Sequence, residues 1–169
     1  MIPRRVFTAA LAATGLGSLS GFLFTPLAQA AKAYEVTRTE AEWKAMLTPD
    51  QFEVLRQAGT ERPYSSPLDK EKRAGTFSCA GCKQALFSSA AKFDSRTGWP
   101  SFYAPIGKAV EKTADNSLGM SRDEVLCSRC GGHLGHVFDD GPKPTGLRYC
   151  MNGLAMTFAP GTAPPVVLS

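Results

Sequence analysis

Two histidines and five cysteines are all that this 169-residue chain holds of those types. The scarcity confines thiol and imidazole chemistry to a few positions. No internal repeat is visible, and no run after residue 30 is apolar enough to span a bilayer. Acidic residues are missing from residues 1–30. That absence, together with Arg4-Arg5-Val6-Phe7, a weakly apolar stretch and Ala28-Gln29-Ala30, is expected of a twin-arginine-type signal peptide with a small-residue cleavage site. A retained membrane helix is the alternative, against which Gly15, Gly17, Ser18, Ser20, Gly21 and Pro26 break the apolar run. Strong net charge is missing too. Without Arg4 and Arg5 the basic count falls from 19 to 17 against 15 acidic residues, and a charge of +2 gives no reason to expect nucleic-acid binding. The expectation is export to the periplasm of one domain, residues 31–169, off the membrane after signal removal and monomeric.

What cysteine there is comes patterned. Cys79-Ala80-Gly81-Cys82 and Cys127-Ser128-Arg129-Cys130 are two C-x-x-C pairs, the donor set of a structural four-thiolate Zn²⁺ site. The 44 residues between them exceed the span of a compact zinc ribbon, so the pairs belong on separate turns that the fold brings together. Gly131 and Gly132 let the backbone turn tightly beside the second pair. Disulfides are the rival reading for an exported chain. A thioredoxin-like redox pair is a third, but neither pair opens a helix in a βαβ pattern.

With four thiols in a closed metal site, Cys150 is left over, a candidate nucleophile within reach of His133 and His136. The bland alternative is a buried thiol acting as a small hydrophobe. In a strand, Arg148, Cys150 and Asn152 share one face and Tyr149 and Met151 the other. Arg148 is then expected to lower the thiol pKa, and Asn152 to orient a substrate or a water. The histidines could instead be structural or metal ligands.

The runs Gly98-Trp99-Pro100-Ser101-Phe102, Cys127 to Phe138 (C-x-x-C-G-G-H-L-G-H-V-F), Gly141-Pro142-Lys143-Pro144-Thr145-Gly146 and Arg148-Tyr149-Cys150-Met151-Asn152 resemble the B-type methionine sulfoxide reductases, from about Tyr34 to Phe158. The resemblance implies that Cys150 attacks the R epimer of methionine sulfoxide, free or protein-bound, releasing methionine and leaving a sulfenic acid. It implies that His133 and His136 bind and protonate the oxygen, that Arg148 and Asn152 complete the polar site, and that Trp99 and Phe102 line the substrate wall. An indole offers a broad apolar face to an S-methyl group, although a buried Trp is also ordinary core. Asp139 or Asp140 would tune an imidazole or a water. Many members carry a second cysteine immediately before the Gly-Trp-Pro-Ser-Phe run, where this chain has Thr97. A threonine cannot close a disulfide, so the reductant is expected to be external: a thioredoxin-like or glutaredoxin-like protein, or a small thiol. Two readings from other classes compete, a zinc-stabilised β-scaffold binding module without catalysis and a zinc hydrolase using both histidines.

Fold signals agree with the two antiparallel sheets, tent-like, that the resemblance implies. Thr39 with Glu42, and Thr48-Pro49-Asp50-Gln51, open two helices, the second ending near Gly59. Residues 59–67 read as a loop. Strands are expected around Thr76–Cys79, Ala85–Phe87, Ala109–Lys112, Glu124–Cys127, His136–Phe138, Arg148–Asn152 and Leu154–Phe158. The result is mainly β, with N-terminal helices packed outside and a loosely attached tail after Pro160.

Overall fold

The computed structural model describes residues 32–116, 119 and 121–168; the expected signal peptide lies outside them. Two short helices come first, α1 (Glu40–Met46) and α2 (Pro49–Gln57), each opened by a reciprocal capping box. Thr39 accepts the Glu42 N–H while the Glu42 carboxylate accepts the Thr39 N–H, and Thr48 and Gln51 repeat the exchange. Pro49 sits at the start of α2, where its missing N–H costs nothing. The helix ends at Ala58, in the left-handed region at φ 53°, one residue before the expected glycine.

Nine strands follow in chain order: β1 (Gly75–Cys79), β2 (Ala85–Ser88), β3 (Lys92–Phe93), β4 (Ser101–Phe102), β5 (Val110–Asp115), β6 (Arg122–Cys127), β7 (His133–Phe138), β8 (Arg148–Met151) and β9 (Met156–Pro160). They form a three-stranded sheet, order β2-β1-β9, and a six-stranded sheet, order β3-β4-β8-β7-β6-β5. Every pairing is antiparallel. The expected mainly-β architecture of two antiparallel sheets is what the structure shows.

The two sheets meet through aromatic rings. Phe77 on β1 and Phe87 on β2 pack on Phe102 of β4, at centroid distances of 4.9 and 4.4 Å, and Phe87 also touches Tyr149 of β8. Burying each ring contributes up to about 3 kcal/mol. This corrects one expectation: Phe102 is fully buried in that core and is not part of a substrate wall. Strand alternation turns it to the side opposite Ser101.

Three further differences have local causes. Strands β3 and β4 are two residues long and show no period to read. The strand expected from Leu154 begins at Met156, because Gly153–Ala155 form a 3₁₀ turn. The tail is tied down: the Ser88 hydroxyl donates to the Pro164 carbonyl at 2.6 Å, and Val166 packs on the core. Among the described residues, no helix is long and apolar enough to cross a membrane.

Candidate active site

Cys150 lies near the middle of the larger sheet, in register with Ser101 of β4 on one side and His136 of β7 on the other. His136 is in turn opposite Glu124 of β6. One row across the sheet face therefore runs Ser101, Cys150, His136, Glu124. The opposite face carries Tyr149 and Met151, both buried, as the alternation in β8 requires.

A regular strand would send His133 and His136, three residues apart, to opposite faces. A bulge prevents this. Val125 pairs with Gly135 and Leu126 with His133, so Leu134 is the extra residue, and both imidazoles end on the face of Cys150. Their rings lie 5.5 Å apart, edge to face. Each is held by a carboxylate: His133 Nδ1 is 2.6 Å from Glu124 Oε1, and His136 Nε2 is 2.9 Å from Asp115 Oδ2. Burial pushes the His133 pKa below its ordinary value, against the opposing pull of Glu124. Its Nε2 is buried with no hydrogen-bond partner. The carboxylates on the imidazoles are thus Glu124 and Asp115, and neither Asp139 nor Asp140 bonds an imidazole. Asp140 instead holds Arg148 through paired bonds of 2.8 and 2.9 Å, and Asp139 is exposed.

Arg148 stacks on Phe138 with its guanidinium carbon 4.3 Å from the ring centroid. Its charge pulls the Cys150 thiol toward ionisation, as do the neighbouring hydroxyls of Thr97 and Ser101. Burial is the larger effect, however, and the thiol pKa is raised rather than lowered. Thr97 Oγ1 is 3.8 Å from the sulfur.

Trp99 is half-buried and stands outside the hydrophobic core. Its indole N–H donates to the Glu61 carbonyl at 3.2 Å, which leaves ring surface partly exposed. Glu61 is also the anchor of Asn152: the Glu61 N–H donates to Asn152 Oδ1 at 3.0 Å, and Asn152 Nδ2 donates to the Leu134 carbonyl at 3.2 Å. Asn152 is buried and lies past the end of β8, so its side chain is chiefly a tie between β8, β7 and the 59–67 loop.

The four remaining cysteines converge, with all four sulfurs within 4.8 Å of one another. Cys79 Sγ is 3.8 Å from Cys130 Sγ, and Cys82 Sγ is 3.5 Å from Cys127 Sγ. A disulfide requires about 2.05 Å, whereas a tetrahedral thiolate cage with metal–sulfur bonds near 2.3 Å has edges of roughly 3.8 Å. All five thiols are free, and the cluster is close enough to hold one metal ion. Both pairs use the same knuckle. The first cysteine's N–H reaches the carbonyl five residues on, and its own carbonyl accepts the N–H four residues on, at Lys83 and Gly131. Both of those residues have positive φ, 63° and 67°. A Cβ at Gly131 would stand 2.3 Å from the Tyr34 ring, so glycine is required there.

The sequence reading missed Glu61, Asp115, Glu124 and Ser101. Glu61 lies in a stretch without periodicity, and the carboxylate partners depend on the β6–β7 register, which the bulge hides.

Residues 47–160 match the SelR domain family. The chain is similar to the peptide methionine sulfoxide reductase MsrB of Leptospira interrogans, at 53% identity over 126 residues, covering 74% of this chain and 96% of the relative. The protein of the same name from Pseudomonas putida is 54% identical over 127 residues, covering 75% and 96%. That of Methanosarcina barkeri is 56% identical over 124 residues, covering 73% and 87%.

Proposed function

The chain belongs to the SelR family, the B-type methionine sulfoxide reductases, and from that premise we propose that it reduces the R epimer of methionine sulfoxide with Cys150 as nucleophile. The observation that carries the assignment is the register of β8, which puts the one thiol outside the four-cysteine cluster between Ser101 and His136. The substrate sulfoxide is free or part of a protein.

In this reading the Cys150 sulfur attacks the sulfoxide sulfur while its oxygen is protonated. A thiol and a sulfoxide become a sulfenic acid and a thioether: the substrate sulfur gains two electrons, the Cys150 sulfur loses them, and the oxygen ends on Cys150. An oxygen leaving sulfur needs a proton. His133 Nε2, unpartnered and buried, takes the sulfoxide oxygen and supplies it. With Nδ1 bonded to Glu124, Nε2 carries a proton only in the imidazolium, and burial makes that imidazolium a stronger acid. His136 on Asp115 flanks the sulfur, and the exposed part of Trp99 receives the S-methyl group. A sulfoxide sulfur is chiral, so a wall on one side and a donor on the other select one epimer. Arg148 supports the thiolate, and Asn152 positions the strand end through Glu61.

Cys79, Cys82, Cys127 and Cys130 hold a structural Zn²⁺, which supplies cohesion and no chemistry. With these thiols on the metal and Thr97 beside the nucleophile, the sulfenic acid is reduced by two equivalents of an external thiol, giving water and a disulfide of the donor. The donor is thioredoxin-like, glutaredoxin-like or a small thiol. The protein acts as a monomer in the periplasm, exported on the twin-arginine signal of residues 1–30.

The test is turnover of separated epimers by residues 31–169 with a strong chemical thiol, beside Cys150→Ser. R-selective reduction, abolished by the substitution, is expected; zinc-loaded, folded protein that reduces neither epimer would overturn the assignment. In the same samples, mass mapping after one turnover without thiol should find oxidised Cys150 unpaired. An intramolecular disulfide would sink the external-thiol step.

A further inference from the structure

Three hydroxyls make an unbroken chain from the nucleophile to the backbone of Trp99. Ser101 Oγ lies 3.1 Å from the Trp99 carbonyl oxygen. A carbonyl only accepts, so Ser101 must donate its single proton there. Ser95 Oγ is 2.7 Å from Ser101 Oγ and 2.8 Å from Thr97 Oγ1. With Ser101 already donating, Ser95 donates to Ser101 and Thr97 donates to Ser95. Thr97 is then left with lone pairs toward Cys150 Sγ, 3.8 Å away, where a thiol S–H can donate to them.

A thiolate has no proton to give, and lone pairs facing it would repel. Ionisation of Cys150 therefore requires Thr97 to turn its proton to sulfur. Ser95 then turns to Thr97, and Ser101, opposite Cys150 in the sheet register, is freed to turn as well. We propose that Ser95, Thr97 and Ser101 form a reversible donor set that accepts from the Cys150 thiol and donates to its thiolate. Thr97, which touches the reacting sulfur, is a catalytic residue, and Ser95, acting through it, is a positioning residue. The chain is no proton exit, because its far end is a carbonyl that cannot take one up. This rests on the reading of Cys150 as nucleophile and goes beyond it by giving the hydroxyl of Thr97 a task of its own.

The other charged or titratable groups on the face of the sulfur are Arg148 on its own strand, held by Asp140, and His136 and His133 on β7, held by Asp115 and Glu124. None of them changes in Thr97 variants, so a difference between such variants reports the hydroxyl.

The test is the rate of Cys150 alkylation by iodoacetamide against pH, read by mass spectrometry on the zinc-loaded protein. Thr97→Val, which keeps the shape and loses the hydroxyl, should move the midpoint up by roughly 1 pH unit. Thr97→Ser should titrate with the wild type. If Thr97→Val folds poorly, Thr97→Ala, which also loses the hydroxyl, supplies the same upward shift. A folded Thr97→Val that titrates with the wild type, or a Thr97→Ser that moves with it, overturns the proposal. Alkylation needs no sulfoxide. A shift seen in protein that reduces neither epimer would therefore sink the proposed substrate and leave the donor set standing.

Discussion

Glu61 holds more of the site together than any residue that touches the substrate in the proposed reaction. Its carbonyl anchors the Trp99 indole, its N–H anchors Asn152, and its carboxylate accepts the N–H groups of Gly153 at 2.6 Å and Leu154 at 2.9 Å. The residue is buried, and burial raises its pKa against those two backbone donors. Glu61→Gln keeps the size but offers only one acceptor atom, so its amide N–H₂ must confront one backbone N–H. An unsatisfied buried donor costs about 1–3 kcal/mol. The variant should unfold at lower denaturant by that amount and bind sulfoxide more weakly, as the Trp99 wall loosens. Denaturant unfolding and steady-state kinetics check both, and an unchanged midpoint with unchanged KM would dismiss the clamp. At this scale the residues that the fold brings together were legible, since rare residue types stand out: Cys150, His133, His136 and the four paired cysteines. Their supports were not, because a Glu in a loop or a Ser in a two-residue strand carries no pattern until the chain is folded around it. Arg148 illustrates the limit further. Its effect on Cys150 has the expected sign, but burial, which no short motif encodes, outweighs it.

Among the elements, β7 decides the geometry of the proposed site. Its bulge at Leu134 restores both imidazoles to one face, and Gly135, just after it, lets β8 approach. A Cβ at Gly135 would stand 2.2 Å from the Cys150 carbonyl oxygen and 3.0 Å from Met151 Cα. Both obstacles are backbone and cannot rotate away. Gly135→Ala should therefore push β7 from β8 at the proposed nucleophile itself, costing roughly 1–3 kcal/mol of stability. A displacement near 1 Å at the reacting groups should lower kcat/KM about a hundredfold. Activity of the folded, metal-loaded variant within a few-fold of wild type would show that the two strands tolerate separation there. The helices were the most legible elements, because Thr39 with Glu42 and Thr48 with Gln51 are local patterns satisfied by local bonds. The bulge was illegible for the opposite reason: a His-Leu-Gly-His run alternates normally on paper, and only pairing with β6 reveals the extra residue.

At the scale of the molecule, the four-cysteine cluster is the joint between the sheets. Cys79 ends β1 of the smaller sheet and Cys127 ends β6 of the larger. The helices close over it: Trp43 of α1 lies against Gly81, Leu55 of α2 against Gly132, and Arg56 donates to the Cys130 carbonyl at 3.1 Å. A structural Zn²⁺ contributes an apparent 10–16 kcal/mol or so in small domains, as much as the entire stability of a typical one at about 5–15 kcal/mol. Loss of the proposed ion should therefore unfold the protein. The same arithmetic bears on the proposed export. Sulfurs 3.5–3.8 Å apart that met an oxidising space without metal would pair as disulfides, whereas twin-arginine export carries a folded chain. Zinc would then be loaded in the cytoplasm, where thiols stay reduced. Mature protein recovered from the periplasm should carry one zinc per chain, and Arg4→Lys with Arg5→Lys should keep it in the cytoplasm with its metal. Fractionation with metal analysis decides the matter. Periplasmic protein free of zinc, its cysteines paired as disulfides, would mean that this joint is covalent and that the chain need not fold before it crosses.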